Sequence, residues 1–436
     1  MMKRTVLILS FVLLFALAAC GGGDEVVEGE TAVSTPIPVE PTAAPPTVLP
    51  PPVITGDGDA QPADPAPEEP APDPNQPLPA WTADQFGYGA QSHALVGDPA
   101  YTMDVMSGQL GVNWVKVQME WPLVEPNRGE YFWMYDAIVA EAQAKGLHLM
   151  FSIVGSPAWA RADGQTHAPP DDYNDYNNFV RALLTHYPGQ VHAIEIWNEQ
   201  NLDREWLTPA GLSADEYTRL LQGAYTTVKE VDPSVIVISG ALAPTGGGTD
   251  ANGVPFAIDD FVFLDQMLAA GFLQYADCVG AHHNGYNLPP DVTAEDAPSH
   301  PESQTAVFRG PFDNPHHSWS FKTTIDTYAD KVQAVDPAKK LCVTEFGWAS
   351  TEGYTESPEG FAFAGDNTLQ EQADYIVQAY QQMHDSGDVW IAYLFNYDFG
   401  NKGHGPTDDT VPYSIIDTNG APRPAFSAVS QMEKTP

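Results

Sequence analysis

Short apolar runs recur along most of the chain, each bounded by Gly, Pro or Asp, and between them lie stretches whose apolar residues are three and four apart. Runs of the first kind read as strands and those of the second as helices. Eight strands are predicted, over residues 86–92, 114–119, 147–154, 192–197, 235–239, 278–282, 341–346 and 390–396. A helix is predicted over 131–145, with Met134, Ile138 and Val139 on one face and a stop at Lys145-Gly146. Ser213 and Glu216 form a capping-box pattern, followed by a stripe of Tyr217, Leu220, Leu221, Ala224, Val228 and Val231. Eight strands alternating with helices over about 350 residues fit one (β/α)8 barrel of the TIM type, a fold that runs from ~250 residues to beyond ~400 with insertions. An open doubly wound sheet is the alternative, but no Gly-rich phosphate loop follows the first strand.

Ahead of residue 81 the alternation is missing. Two positive charges in the first four residues precede an apolar run from Val6 to Ala19, interrupted by Ser10 and closing on Leu17-Ala18-Ala19-Cys20. The run is shorter than the ~20 residues that span a bilayer. It resembles a bacterial lipoprotein signal with its lipobox, which implies cleavage before Cys20, lipidation of that cysteine, and an extracytoplasmic, lipid-anchored protein. Residues 21–80 hold sixteen prolines and eleven acidic residues with no aromatic, Lys or Arg, so they are expected to form a disordered spacer. One domain is then expected over 81–436.

Hydrophobic residues at 43% and aromatics at 11% provide for a large core in that domain. Across the 436 residues, 58 Asp and Glu face 18 Lys and Arg, a net charge of −40 that excludes nucleic acid as a natural partner and disfavours polyuronates. Membrane contact is expected only through the lipid. Three cysteines make neither a disulfide framework nor a Cys-rich zinc site. Cys278 and Cys342, at the starts of neighbouring strands, are expected to be free thiols.

In such a barrel, chemistry sits at the C-terminal strand ends. The fourth strand runs Ile194-Glu195-Ile196-Trp197-Asn198-Glu199 and the seventh Cys342-Val343-Thr344-Glu345-Phe346-Gly347-Trp348. With Trp121-Pro122-Leu123-Val124-Glu125-Pro126, Gly129 and Tyr131, these segments resemble retaining glycoside hydrolases of clan A, families 39 and 5, over residues 86–396. The resemblance implies that Glu199 is the general acid/base, Glu345 the nucleophile, and Asn198 a ligand of the sugar 2-hydroxyl. The chemistry agrees, since glycoside hydrolysis by retention needs a proton donor and an attacking carboxylate ~5 to 5.5 Å apart.

Further substrate contacts are expected from His93 at the end of the first strand, from His282 or His283 and Tyr286 after the sixth, and from strand-end Trp121, Trp159 and Trp348, at least one forming a sugar platform. Adjacent residues on a strand point opposite ways, so His282 and His283 are poor joint metal ligands, and neither metal nor cofactor is expected. The second strand carries Lys116 where clan members often place Arg, and Lys116 is expected to supply the same charge beside the nucleophile. The eighth strand ends Phe395-Asn396-Tyr397-Asp398 instead of in the frequent Trp. Glu195 should face into the barrel and needs a partner there. Residues 287–318 form a Pro-rich connection too long for an ordinary loop, expected to wall the substrate site.

The resulting expectation is a monomeric retaining β-glycosidase of neutral oligo- or polysaccharides, working by double displacement. A catalytically silent carbohydrate-binding lipoprotein is the alternative of another class, though it would have little reason to keep both glutamates. A transglycosylase would use the same carboxylates. Peptidase and lipase readings fail because no Gly-x-Ser-x-Gly or His-Glu-x-x-His occurs.

Overall fold

The computed structural model describes residues 77–435; the leader, Cys20 and nearly all of the spacer lie outside the described residues. All eight strands form, as β1 (Gly87–Gln91), β2 (Trp114–Glu120), β3 (His148–Val154), β4 (Ala193–Ile196), β5 (Ile236–Ser239), β6 (Val279–Gly285), β7 (Leu341–Trp348) and β8 (Val389–Leu394). They pair in parallel in the order β5-β4-β3-β2-β1-β8-β7-β6. A parallel bridge between Ile238 and Cys278 joins the two outer strands and closes the barrel. Helices follow the strands in turn: α1 (Pro99–Asp104), α2 (Asp136–Ala144), α3 (Tyr173–His186), α4 (Ala214–Val231), α5 (Asp260–Ala269), α6 (Phe321–Gln333), α7 (Leu369–Ser386) and α8 (Pro424–Gln431).

Period-two alternation sorts the strand side chains. Val115, Val117, Leu149, Phe151, Ile153, Ile194 and Ile196 face out and pack with the helices. The inward set begins with an apolar floor of Trp114, Met150, Ile236, Ile238, Cys278, Cys342, Ile391 and Tyr393. Two large rings fit there because β1 supplies no side chain at Gly89, where a Cβ would come within 2.4 Å of the Tyr393 ring. Trp81 packs edge-on against Trp114 with ring centroids 5.8 Å apart, and Pro79 O lies 2.9 Å from His148 Nε2.

Two expectations are corrected. Helix α2 starts at Asp136, five residues later than predicted, and Met134 is exposed. The reason is aromatic: Tyr131 stacks on Trp133, which stacks on His186, and this holds residues 131–135 out of the helix. On α4, Tyr217, Leu220, Leu221, Ala224 and Val228 are buried as predicted.

The second correction concerns sulfur. Cys278 and Cys342 are joined in a disulfide, with Cα atoms 5.8 Å apart, within the usual range for such bridges. Cys342 pairs with Gly280, so Cys278 lies two positions out of register on the same inward face. That diagonal offset permits the link.

The long connection after β6 is not featureless. It contains helical turns at Ala297–Ser299, Pro301–Gln304, Gly310–Asp313 and His317–Trp319. Its Phe308 and Trp319 pack against Tyr286 and Phe363 beside the barrel mouth.

Candidate active site

At the top of β4 the chain turns sharply. Trp197 and Glu199 adopt left-handed backbone conformations, φ 74° and 45°, which cost non-glycine residues of the order of 1–3 kcal/mol each. Hydrogen bonds hold the turn: Glu199 N–H donates to Ala241 O at 2.9 Å and Trp197 Nε1–H to Glu205 O at 2.9 Å. Glu199 is thereby held buried at the barrel mouth, 4% exposed.

On β7 a bulge does the aiming. Ala281 and His282 of β6 pair with Val343 and Glu345, and Ala392 and Leu394 of β8 with Val343 and Phe346, so Thr344 is an extra residue. Thr344 and Glu345 consequently both reach inward contacts. Thr344 Oγ1–H donates to Glu195 Oε1 at 2.7 Å, while Glu345 meets Lys116 Nζ at 2.9 Å and Asn284 Nδ2 at 3.3 Å.

His282 joins the two glutamates. Its Nδ1 lies 3.3 Å from Glu199 Oε1 and 4.0 Å from Glu345 Oε2. His283 points the other way, its ring edge-on to Phe321, and burial pushes its pKa down to about 3. The sixth-strand histidine of the site is His282.

Charge below the pair is balanced by Lys116, which has no exposed surface. Besides Glu345 it reaches Thr344 O at 3.1 Å and Glu195 Oε2 at 3.5 Å. Burial alone would depress its pKa, but Glu345 and Glu195 outweigh it and raise the lysine above its ordinary value. Glu195 has the interior partners its position demanded.

For Glu199, burial pushes the carboxyl up, but the His282 hydrogen bond and the Arg204 charge prevail and hold it below its ordinary value. Arg204 Nη2 donates to Glu199 Oε2 at 3.0 Å. His282 shifts the other way: burial opposes its charge, yet Glu345 and Glu199 raise its pKa. The two directions together favour a charged His282 imidazole beside a charged Glu199 carboxylate. Burial and then the Glu199 charge push neighbouring Glu205 up to about 8, so it is mostly neutral at pH 7.

A pH prediction follows from these directions. His282 carries its proton below its raised pKa and loses it as pH rises. For a substrate with a poor leaving group, the basic limb of kcat/KM should lie above pH 6.5, the ordinary histidine value. In His282→Gln the limb should move to lower pH, and an unmoved profile would remove His282 from the proton path.

Tyr286 lies near enough for the Glu199 charge to raise its hydroxyl pKa further, after burial. Asn198 is buried, and its Oδ1 has no hydrogen-bond partner among the described residues. The structure does not gather the remaining candidates around the glutamates. His93 packs beside Phe399 and His404, and its backbone N–H donates to Asp398. Trp159 donates to Glu125 O and carries the Arg128 guanidinium 4.3 Å above its ring. Trp121 and Trp348 have no exposed surface, which corrects Trp348 as a substrate contact. Beyond the β7 bulge Trp348 faces outward, packs against Phe321 and Tyr375, and donates to Leu288 O. Lys116 is likewise sealed from any substrate and acts through Glu345.

Sequence reasoning missed Asn284, Arg204 and Glu205. Asn284 was accessible, because the inward period of two from His282 passes through it to Tyr286. The Arg204 and Glu205 contacts depend on how the loop after β4 folds back.

A barrel with paired glutamates at the ends of its fourth and seventh strands defines a glycoside hydrolase, and comparison with known proteins agrees. The family model described as cellulase (glycosyl hydrolase family 5) matches residues 82–398. The chain belongs to that family. Among solved structures, a family 39 glycoside hydrolase from Bacteroides cellulosilyticus WH2 is 19% identical with TM-score 0.57, covering 80% of this chain and 64% of that protein. This chain thus spans less than two thirds of that protein's length. A glucosidase from Croceicoccus marinus is 18% identical with TM-score 0.51, covering 82% and 68%. The β-glycosidase BGL167 is 13% identical with TM-score 0.53, covering 81% and 96%. At these identities the likeness is one of fold. No curated protein matches the chain.

Proposed function

We propose that this protein is a glycosidase that acts by retention on β-linked neutral oligo- or polysaccharides, with Glu345 as nucleophile and Glu199 as acid/base. The observation that carries the reading is Lys116 Nζ, fully buried and 2.9 Å from Glu345 Oε1. A buried cation held against carboxylates keeps the attacking group anionic and oriented. His282 Nδ1, 3.3 Å from Glu199 Oε1, gives Glu199 access to a proton.

In the first step a Glu345 oxygen forms a bond to the anomeric carbon while the bond from that carbon to the leaving oxygen breaks. The proton shared by Glu199 and His282 passes to that oxygen. In the second step water gives a proton to Glu199 and attacks the same carbon, releasing Glu345. The unpartnered Oδ1 of buried Asn198 suits a sugar hydroxyl donor. The β-glycosidase description of one structural neighbour supports a β-linked substrate.

Glu199→Ala tests both the role and the stereochemical course. An aryl β-glycoside with a good leaving group should still glycosylate Glu345, and azide should restore turnover by yielding the β-glycosyl azide. No azide effect, with activated and natural substrates equally impaired, would refute the assignment. For location, the Cys20 motif supports an extracytoplasmic lipid anchor. Incorporation of labelled palmitate, lost in Cys20→Ser, is its readout, and no incorporation would refute it.

A further inference from the structure

Away from the glutamate pair, two loops of the barrel mouth bring Asp259, His316 and His317 together. Asp259 ends the connection after β5, and the two histidines end the connection after β6. One side-chain ligand atom from each lies within 4.8 Å of the others. Asp259 Oδ2 is 3.5 Å from His316 Nε2 and 3.9 Å from His317 Nε2. Zinc bonds of ~2.0–2.2 Å in a tetrahedron place neighbouring ligand atoms roughly 3.3–3.5 Å apart, so small side-chain adjustments suffice.

Each ligand is already oriented by a second contact. Asp259 uses Oδ1 to accept from Val262 N–H at 3.1 Å, leaving Oδ2 toward the histidines. The Nδ1 edge of His316 lies 2.9 Å from Ser318 Oγ, so Nε2 is the nitrogen presented. The His317 ring stacks on Phe261 at 3.6 Å between centroids. Beside them is a buried carboxylate: Asp260 has no exposed surface, accepts from Thr245 N–H and Tyr328 Oη–H, and sits 2.8 Å from His317 Nε2. Asp260 meets the same Nε2 that the ion would take, so it gives up that contact on binding and its charge offsets that of the metal.

We propose that Asp259 Oδ2, His316 Nε2 and His317 Nε2 bind one divalent transition-metal ion, zinc being the best match to two imidazoles and a carboxylate. On binding, His317 Nε2 exchanges its contact with Asp260 for the ion, and water completes the coordination. The His316 side chain is 37% exposed and that of Asp259 22%, so the ion has an entry path. The site clips the loop after β5 to the loop after β6. It contributes to the stability of the mouth and takes no part in the glycosidase chemistry.

The test is calorimetric titration of zinc chloride into the full chain, purified without a histidine tag and stripped with chelator, together with thermal melts. One zinc per chain should bind, and at about a hundredfold over Kd the melting temperature should rise by several degrees. His316→Ala should lose the binding heat and the shift. Asp259→Asn, which keeps the Oδ1 cap on α5, should weaken zinc binding at least about tenfold while melting normally without metal. Absence of zinc binding by the wild type overturns the proposal. Undiminished binding in both variants overturns it equally, by placing the ion elsewhere.

Discussion

Glu345→Gln should fold as the wild type, bind an oligosaccharide the wild type cleaves, and lose turnover by at least about 10⁴-fold. The amide is nearly isosteric, and its single oxygen still accepts from Lys116 Nζ, which lies 2.9 Å from Glu345 Oε1. It cannot attack the anomeric carbon. Isothermal titration reports binding, and a stopped assay on the same oligosaccharide reports turnover. Hydrolysis within about tenfold of wild type would show that another group attacks and would end the proposed mechanism.

Lys116→Met should have the second large effect, on stability as well as rate. The lysine is sealed between Glu345 and Glu195. Its removal leaves two buried carboxylates without a cation, a change that costs roughly 3–5 kcal/mol. The sign with pH is distinctive. In the wild type the raised lysine pKa keeps its contribution intact below the ordinary value of 10.5, with loss only as pH rises beyond it. In the variant the buried site favours a protonated carboxyl, so the deficit should widen between pH 5 and pH 8. Urea denaturation across that range measures it. A variant as stable as wild type at pH 8 would mean that the cation does not hold the carboxylates, and residual turnover above about a tenth would separate Lys116 from the orientation of Glu345.

The gap between what the chain pattern predicts and what the structure adds is widest around β7. Glu345 and Trp348 both stand at a strand end, and alternation alone leaves their facing open. The extra residue Thr344 decides it by shifting the phase, turning Glu345 to the mouth and Trp348 outward. A bulge arises from pairing with both neighbouring strands and leaves no local mark in Thr344 itself. The same holds for Cys278 and Cys342, whose linkage depends on strand stagger. Residues 131–135 show the converse case, in which helix-like spacing yields to the stacking of Tyr131, Trp133 and His186.

Alternating apolar runs and turn residues determined the eight strands of this protein, because a buried parallel strand must be apolar throughout and end where its chain turns polar. Those polar ends also marked Glu199 and Glu345, whereas Lys116, inside its strand, was marked by the resemblance alone. Only the tertiary structure decided the partners. His282 meets Glu199, Arg204 folds back onto it, and Lys116 divides its charge between Glu345 and Glu195. These contacts cross from strand to strand through barrel closure and loop return, and hydrogen bonding and Coulomb attraction act over a few ångströms of space whatever the separation along the chain.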